Sequence, residues 1–174
     1  MNKIRFAVIG LGWFGEKHCD ALAAIPHVQL HGLCTRTESR LKELADRFDV
    51  PRTYTDYHEL LADHEIDAVS VVTMWDQHAA PALAAMEAGK HVFLEKPMAS
   101  TVADCERIVN AAAGADGYFM VGHICRFNPR YAAAKEAIAA GRIGRVISMY
   151  ARRNIPAMVT EEILNKIGPI IGDG

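Results

Sequence analysis

The chain has 174 residues, 51% of them hydrophobic, with 19 Lys and Arg against 21 Asp and Glu and a formal net charge of −2. That length holds one complete domain, or one domain and part of another, and the half-apolar composition supplies a real core. The balanced charge, with no basic block, excludes nucleic acid as the principal partner, and no apolar run nears the ~20 residues that span a bilayer, so no membrane partner is expected.

The opening MNKIRF passes straight into a first strand, so no leader peptide is expected and the cytoplasm is the expected compartment. Cys19, Cys34, Cys105 and Cys125 stand far apart without C-x-x-C spacing and read as reduced thiols. No metal site is expected either, because the eight histidines do not cluster at ligand spacing.

Ile4, Phe6, Val8 and Ile9 have the pattern of a buried parallel strand, and they lead into a Gly-x-Gly-x-x-Gly turn at Gly10, Gly12 and Gly15. The first glycine permits a tight turn off the strand. The second lets a pyrophosphate approach the main chain, and the third lets the next helix pack closely on the sheet. That helix carries Cys19, Leu22 and Ala23 at helical spacing over Glu16–Ile25, and its N-terminal amides and dipole favour an anion. A nucleotide diphosphate is therefore expected on the amides of Leu11 to Phe14, with Trp13 and Phe14 beside it.

Val28 to Thr35 predicts a second strand and Thr37 the cap of a helix through Phe48. In a dinucleotide fold the end of this strand chooses the cofactor: a carboxylate about 20 residues past the glycines bonds the ribose 2′-hydroxyl, and an Arg accommodates a 2′-phosphate. Here Thr35 is followed by Arg36, with Arg40 nearby and no carboxylate at the strand end, which predicts NADP(H) in preference to NAD(H). Pro51 to Tyr54 reads as a short extended piece, and Thr55 or Asp56 caps a helix toward Glu65. Ile66 to Thr73 is a β-branched strand that brings Thr73, Met74 and Trp75 to the cofactor edge. Asp76 to His78 then begin a helix that stops at Gly89. Trp75 and His78 read equally well as cofactor contacts and as a packing plug and a helix-start residue.

His91 to Leu94 predicts the next strand, and it delivers Glu95, Lys96 and Pro97 to the same edge. Ser100 or Thr101 caps a helix to Ala113, with Thr101 and Asp104 at capping-box spacing, and Gly117 to Gly122 closes the first domain's sheet. His123, Arg126 and Asn128 lead into a helix that starts at Pro129 and ends at Gly141. Arg145 to Arg153 alternates like a strand with one exposed face, and Thr160 to Lys166 reads as a short helix before GPIIGDG.

GLGWFG, TMWDQH, AGKHVFLEKPMA and VGHICRFNP together resemble the Gfo/Idh/MocA family of glucose-fructose oxidoreductases and inositol dehydrogenases. AGKHVFLEKP is the most specific of these segments. The resemblance implies an α/β fold: a Rossmann doubly wound parallel sheet over residues 1–122, then the start of a second α/β, open-sheet domain over residues 123–174. It also implies hydride transfer between the nicotinamide of NADP(H) or NAD(H) and a secondary alcohol of a sugar, cyclitol or related polyol. Lys96 would hold the substrate hydroxyl and Pro97 would be cis, while Arg126 and Asn128 would line the cleft between domains. Met74 and Trp75 stand where the family has Pro-Asn, which weakens the case for nicotinamide contacts from that loop. In relatives a segment like GPIIGDG leads to a helix bearing a catalytic His, so residues 123–174 are expected to be an incomplete domain with little or no turnover. The full-length protein would form a homo-oligomer through that domain's sheet. A non-catalytic NADP(H)-binding or sensor module is the alternative reading.

Overall fold

The computed structural model describes residues 3–152 and 154, which divide into two compact units between Ile124 and Cys125. The first is built from β1 (Ile4–Ile9), α1 (Trp13–Ala23), β2 (Val28–Cys34), α2 (Glu38–Phe48), β3 (Arg52–Tyr54) and α3 (Tyr57–Ala62), followed by β4 (Ala68–Val71), α4 (Ala79–Glu87), β5 (His91–Leu94), α5 (Val102–Gly114) and β6 (Phe119–Val121). All the pairings are parallel, and the strand order is β3-β2-β1-β4-β5-β6. This is the doubly wound order that creates a crevice between β1 and β4, where the winding reverses.

The central strands are apolar on both sides because both sides are covered. Ala7 and Ile9 turn to a core with Leu60, Leu61, Ala82, Ala85, Met86 and Ile108 from α3, α4 and α5. Val8 turns to the opposite core with Cys19, Leu22, Leu41 and Leu44 from α1 and α2. In β2 the alternation is interrupted: Phe6 pairs with Leu30 but Ala7 pairs with Gly32, so His31 is an extra residue in the ladder. That bulge is why Leu30 and Leu33, three apart, reach the same core.

Local chemistry sets the element ends. The Asp56 side chain accepts the His58 amide at 2.8 Å, so it and not Thr55 caps α3. Thr101 Oγ1 accepts the Asp104 amide at 3.1 Å and donates to that residue's carboxylate at 2.8 Å. The capping box is thus closed through the Thr hydroxyl, not the Thr amide. Thr37 occupies the N-cap of α2 without a side-chain bond. The strand expected over Ile66–Thr73 is shorter, and the helix expected from Asp76 opens as a single 3₁₀ turn, Trp75–Gln77, before α4. Among the described residues no helix is long and apolar enough to cross a membrane.

In the second unit, α6 (Pro129–Ala139) starts at Asn128, whose side chain accepts the Arg130 amide at 3.0 Å, and ends before Gly141 at φ +72°. The strand expected over Arg145–Arg153 does not form in its described part, residues 145–152. Alternation alone makes no ladder, and no described strand pairs with it. The expected Thr160–Lys166 helix and the GPIIGDG turn lie outside the described residues.

Candidate dinucleotide site

The ladder aligns the strand ends in one row. Tyr54 pairs with Cys34, Cys34 with Ile9, Ile9 with Val71, Val71 with Leu94, and Leu94 with Val121. The next residue of each strand therefore emerges at the same rim: Thr55, Thr35, Gly10, Val72, Glu95 and Gly122. Gly10 and Glu95 are two strand spacings apart, roughly 10 Å. Both anchors read from the sequence, the glycine turn and the EKP segment, thus share the C-terminal edge where open α/β sheets receive ligands.

Each glycine of the turn has its own reason. Gly10 has φ +97°, and a Cβ there would lie 2.6 Å from the Val72 carbonyl oxygen, so the turn packs directly on the end of β4. A Cβ on Gly15 would lie 2.0 Å from the Gly10 carbonyl oxygen, which ties the first turn of α1 to the loop. Gly12, the N-cap of α1, has nothing within 4 Å of the position a Cβ would take. Two glycines therefore serve packing while the middle one keeps space open at a helix N-terminus, as a pyrophosphate requires. Trp13 beside it is 65% exposed, and Phe14 is half-buried against the ring of His18.

Arg40 lies against this loop. Its Nε donates to the Leu11 carbonyl at 3.2 Å, one terminal nitrogen donates to Glu43 at 2.8 Å and the other to Glu16. Arg47 bonds the other oxygen of Glu16 and reaches Asp20 at 2.8 Å. The bonds from Arg40 and then Arg47 hold the Glu16 carboxyl below the usual carboxylate range. The same two cations compensate a negative charge in the first turn of α1, where it would otherwise repel a phosphate. Arg36 differs from Arg40: it is exposed at the end of β2, one residue past half-buried Thr35, and forms no ion pair among the described residues.

Past β4, Thr73 Oγ1 donates to the Gln77 carbonyl at 3.2 Å and shapes the turn that holds half-buried Trp75. His78 is 2% exposed, with Nδ1 2.7 Å from the Pro97 carbonyl and Nε2 3.0 Å from the Thr73 carbonyl. Its ring joins the end of β4 to the segment after β5, and both nitrogens face main-chain oxygens. The Lys96–Pro97 bond is cis. Glu95 is 5% exposed and its Oε2 accepts the Lys96 amide at 3.0 Å, while the Lys96 side chain is exposed at the rim. Arg126, in the turn Ile124–Phe127, and Asn128 belong to the second unit, where Asn128 caps α6.

His18 and Ser70 escaped the sequence reading although they stand behind this rim. The signals were there: Ser70 is the lone polar residue in a β-branched run, and His18 follows Phe14 by four on the inward face of a helix. A third group was missed as well. Among the described residues, His31, Asp63 and Glu65 each bring a donor atom within 4.8 Å of the others, and both His31 ring nitrogens are buried without a hydrogen-bond partner. This group adjoins the opposite end of the sheet, where Arg52 bonds Glu65 at 2.8 Å and Arg5 stands 3.8 Å from it. Those two cations already compensate the carboxylate.

A parallel sheet wound in this order, with an open glycine at a helix N-terminus, defines a dinucleotide-binding α/β domain. Residues 4–123 match the Gfo/Idh/MocA family, described as an oxidoreductase family with an NAD-binding Rossmann fold, and the chain belongs to it. It is 37% identical over 140 residues to a 4-carboxy-2-hydroxymuconate-6-semialdehyde dehydrogenase of Sphingobium, covering 80% of this chain and 44% of that protein. It is 35% identical to a myo-inositol 2-dehydrogenase of Thermotoga maritima, covering 82% and 42%. The crystal structure of scyllo-inositol dehydrogenase from Lactobacillus casei with bound NAD(H) and scyllo-inositol superposes with a TM-score of 0.79 at 29% identity, covering 82% and 43%. The chain thus spans less than half the length of these relatives.

Proposed function

We propose that residues 1–122 bind a nicotinamide dinucleotide and that the whole protein transfers a hydride between it and a secondary alcohol of a sugar, cyclitol or related polyol. The observation that carries this reading is the shared rim: open Gly12 and exposed Lys96 both lie at the C-terminal edge, on opposite sides of the β1–β4 crevice. The residues fit such a cofactor. Gly12 leaves room beside the N-terminal amides of α1, and Arg40 with Arg47 compensates Glu16 beneath them.

When bound, the nicotinamide supplies or accepts the hydride, and the protein's part is to position and to move a proton. Lys96 is the group to hold the reacting oxygen and carry its proton, since the residue is exposed while its main-chain amide is held by Glu95. Thr73, Trp75 and Pro97 line the β4–β5 side of the crevice, where the His78 ring lies between the Thr73 and Pro97 carbonyls. Residues 123–174 open the second domain, to which we assign self-association in the full-length protein, with Arg126 and Asn128 as cofactor-binding residues that the family resemblance implies.

For the cofactor we favour NADP(H) over NAD(H), on the exposed Arg36, which forms no ion pair among the described residues. Arg40, with all three guanidinium nitrogens bonded inside the protein, braces the glycine loop and does not compete for that role. Isothermal titration of this chain with NAD⁺ and NADP⁺ tests the reading: NADP⁺ is expected to bind more tightly. Binding of neither would refute the dinucleotide site.

A further inference from the structure

We propose that His18 is a positioning residue for Lys96, fastening the helix that receives the cofactor phosphate to the main chain of the lysine that faces the substrate. The inference rests on the dinucleotide reading above for its role in catalysis, but its geometry stands on its own. His18 lies on α1 with a side chain 14% exposed, between the rings of Phe14 at 5.3 Å and Phe93 at 5.6 Å. Its Nδ1 is 2.7 Å from Ser70 Oγ on β4, and its Nε2 is 3.3 Å from Glu95 Oε1 just past β5. Glu95 Oε2 then accepts the Lys96 amide at 3.0 Å. Three elements are thereby joined by one continuous polar chain: α1, β4 and the end of β5.

A carboxylate only accepts, so a proton on His18 Nε2 serves Glu95, and Nδ1 and the Ser70 hydroxyl share the second hydrogen bond. Glu95 is nearly fully buried, and a carboxylate there without donors would be costly. The backbone makes room for it at Gly122, where a Cβ would lie 2.8 Å from Glu95 Oε1. Ser70, 1% exposed, is out of a substrate's reach, so this serine–histidine–glutamate arrangement positions and does not act as a nucleophile.

Two amide variants, both lacking the ring, separate this role from ordinary packing. His18→Asn presents its amide where Nδ1 was and keeps the Ser70 contact, whereas His18→Gln presents an N–H donor where Nε2 was and keeps the Glu95 contact. Amide hydrogen exchange followed by NMR on the 174-residue chain reads the outcome at Lys96 against Val92 and Leu94 in β5. His18→Asn is expected to speed Lys96 exchange about tenfold relative to those strand amides, and His18→Gln to leave it within about twofold. Equal behaviour of the two variants at Lys96, or acceleration of all three amides together, would overturn the proposal. The exchange is measured without cofactor, so a wild-type chain that binds neither NAD⁺ nor NADP⁺ would refute the dinucleotide site while this test still gave its answer.

Discussion

Replacing Gly12 and Gly15 separately by alanine distinguishes a glycine kept for the ligand from one kept for the fold. Gly12 has φ −68° and ψ −173°, a conformation open to any residue, and nothing lies within 4 Å of its added Cβ. Gly12→Ala should therefore leave the unliganded protein unchanged or stabilise it by about 0.5 kcal/mol, through the lost freedom of the unfolded chain. At Gly15 the added Cβ meets the Gly10 carbonyl oxygen at 2.0 Å, so main chain must move. Overpacking of that kind costs about 1–3 kcal/mol, or a Tm lower by up to roughly 10 °C in a domain of this size. The ligand reverses the ranking for Gly12: a methyl group in the space a pyrophosphate requires should weaken dinucleotide binding at least about tenfold, or ~1.4 kcal/mol. Urea denaturation gives the stabilities, and titration calorimetry with NADP⁺ and NAD⁺ gives the affinities. A Gly12→Ala protein that binds both as wild type does would refute the placement of the phosphate.

Arg36→Ala should weaken NADP⁺ about tenfold and leave NAD⁺ nearly unchanged, as loss of one charge-assisted phosphate contact predicts; equal losses would count against a 2′-phosphate role. His78→Leu leaves the Pro97 and Thr73 carbonyls facing an apolar side chain and should cost about 1–3 kcal/mol in urea denaturation, and an unchanged midpoint would show that the ring does not tie the two segments. Burial pushes the Cys19 and Cys34 thiols up to about 12, so both should resist alkylation at pH 8 while exposed Cys125 reacts. Above pH 9 the unfolded chain loses these protons and the native state keeps them. Stability should therefore fall with rising pH, by up to about 1.4 kcal/mol per pH unit for each thiol until the native thiols ionise near 12, and a flat profile would contradict their burial.

The fold was legible to the extent that its causes are local. Gly-x-Gly-x-x-Gly after an apolar run, β-branched strands at even intervals and caps such as Asp56, Thr101 and Asn128 are written within a few residues of where they act. From them follow a dinucleotide-type turn and the arrival of Glu95, Lys96 and Pro97 at a strand's C-terminal end; the doubly wound sheet was implied by the family resemblance, and the strand order bears it out. Arg145–Arg153 shows the limit of that reasoning: its alternation promised a strand, but a strand exists only with a partner to accept its hydrogen bonds, and none is present among the described residues. Side-chain destinations were likewise beyond local reading. Arg36 and Arg40 look alike in sequence, yet Arg40 turns back to Leu11 and Glu16 while Arg36 points to solvent, because only the packing of α2 on α1 brings the loop carbonyl and that carboxylate within reach of one of them. The chain from Ser70 through His18 to Glu95 joins residues up to 77 positions apart, and such a contact is decided by how the layers stack and not by any spacing along the chain.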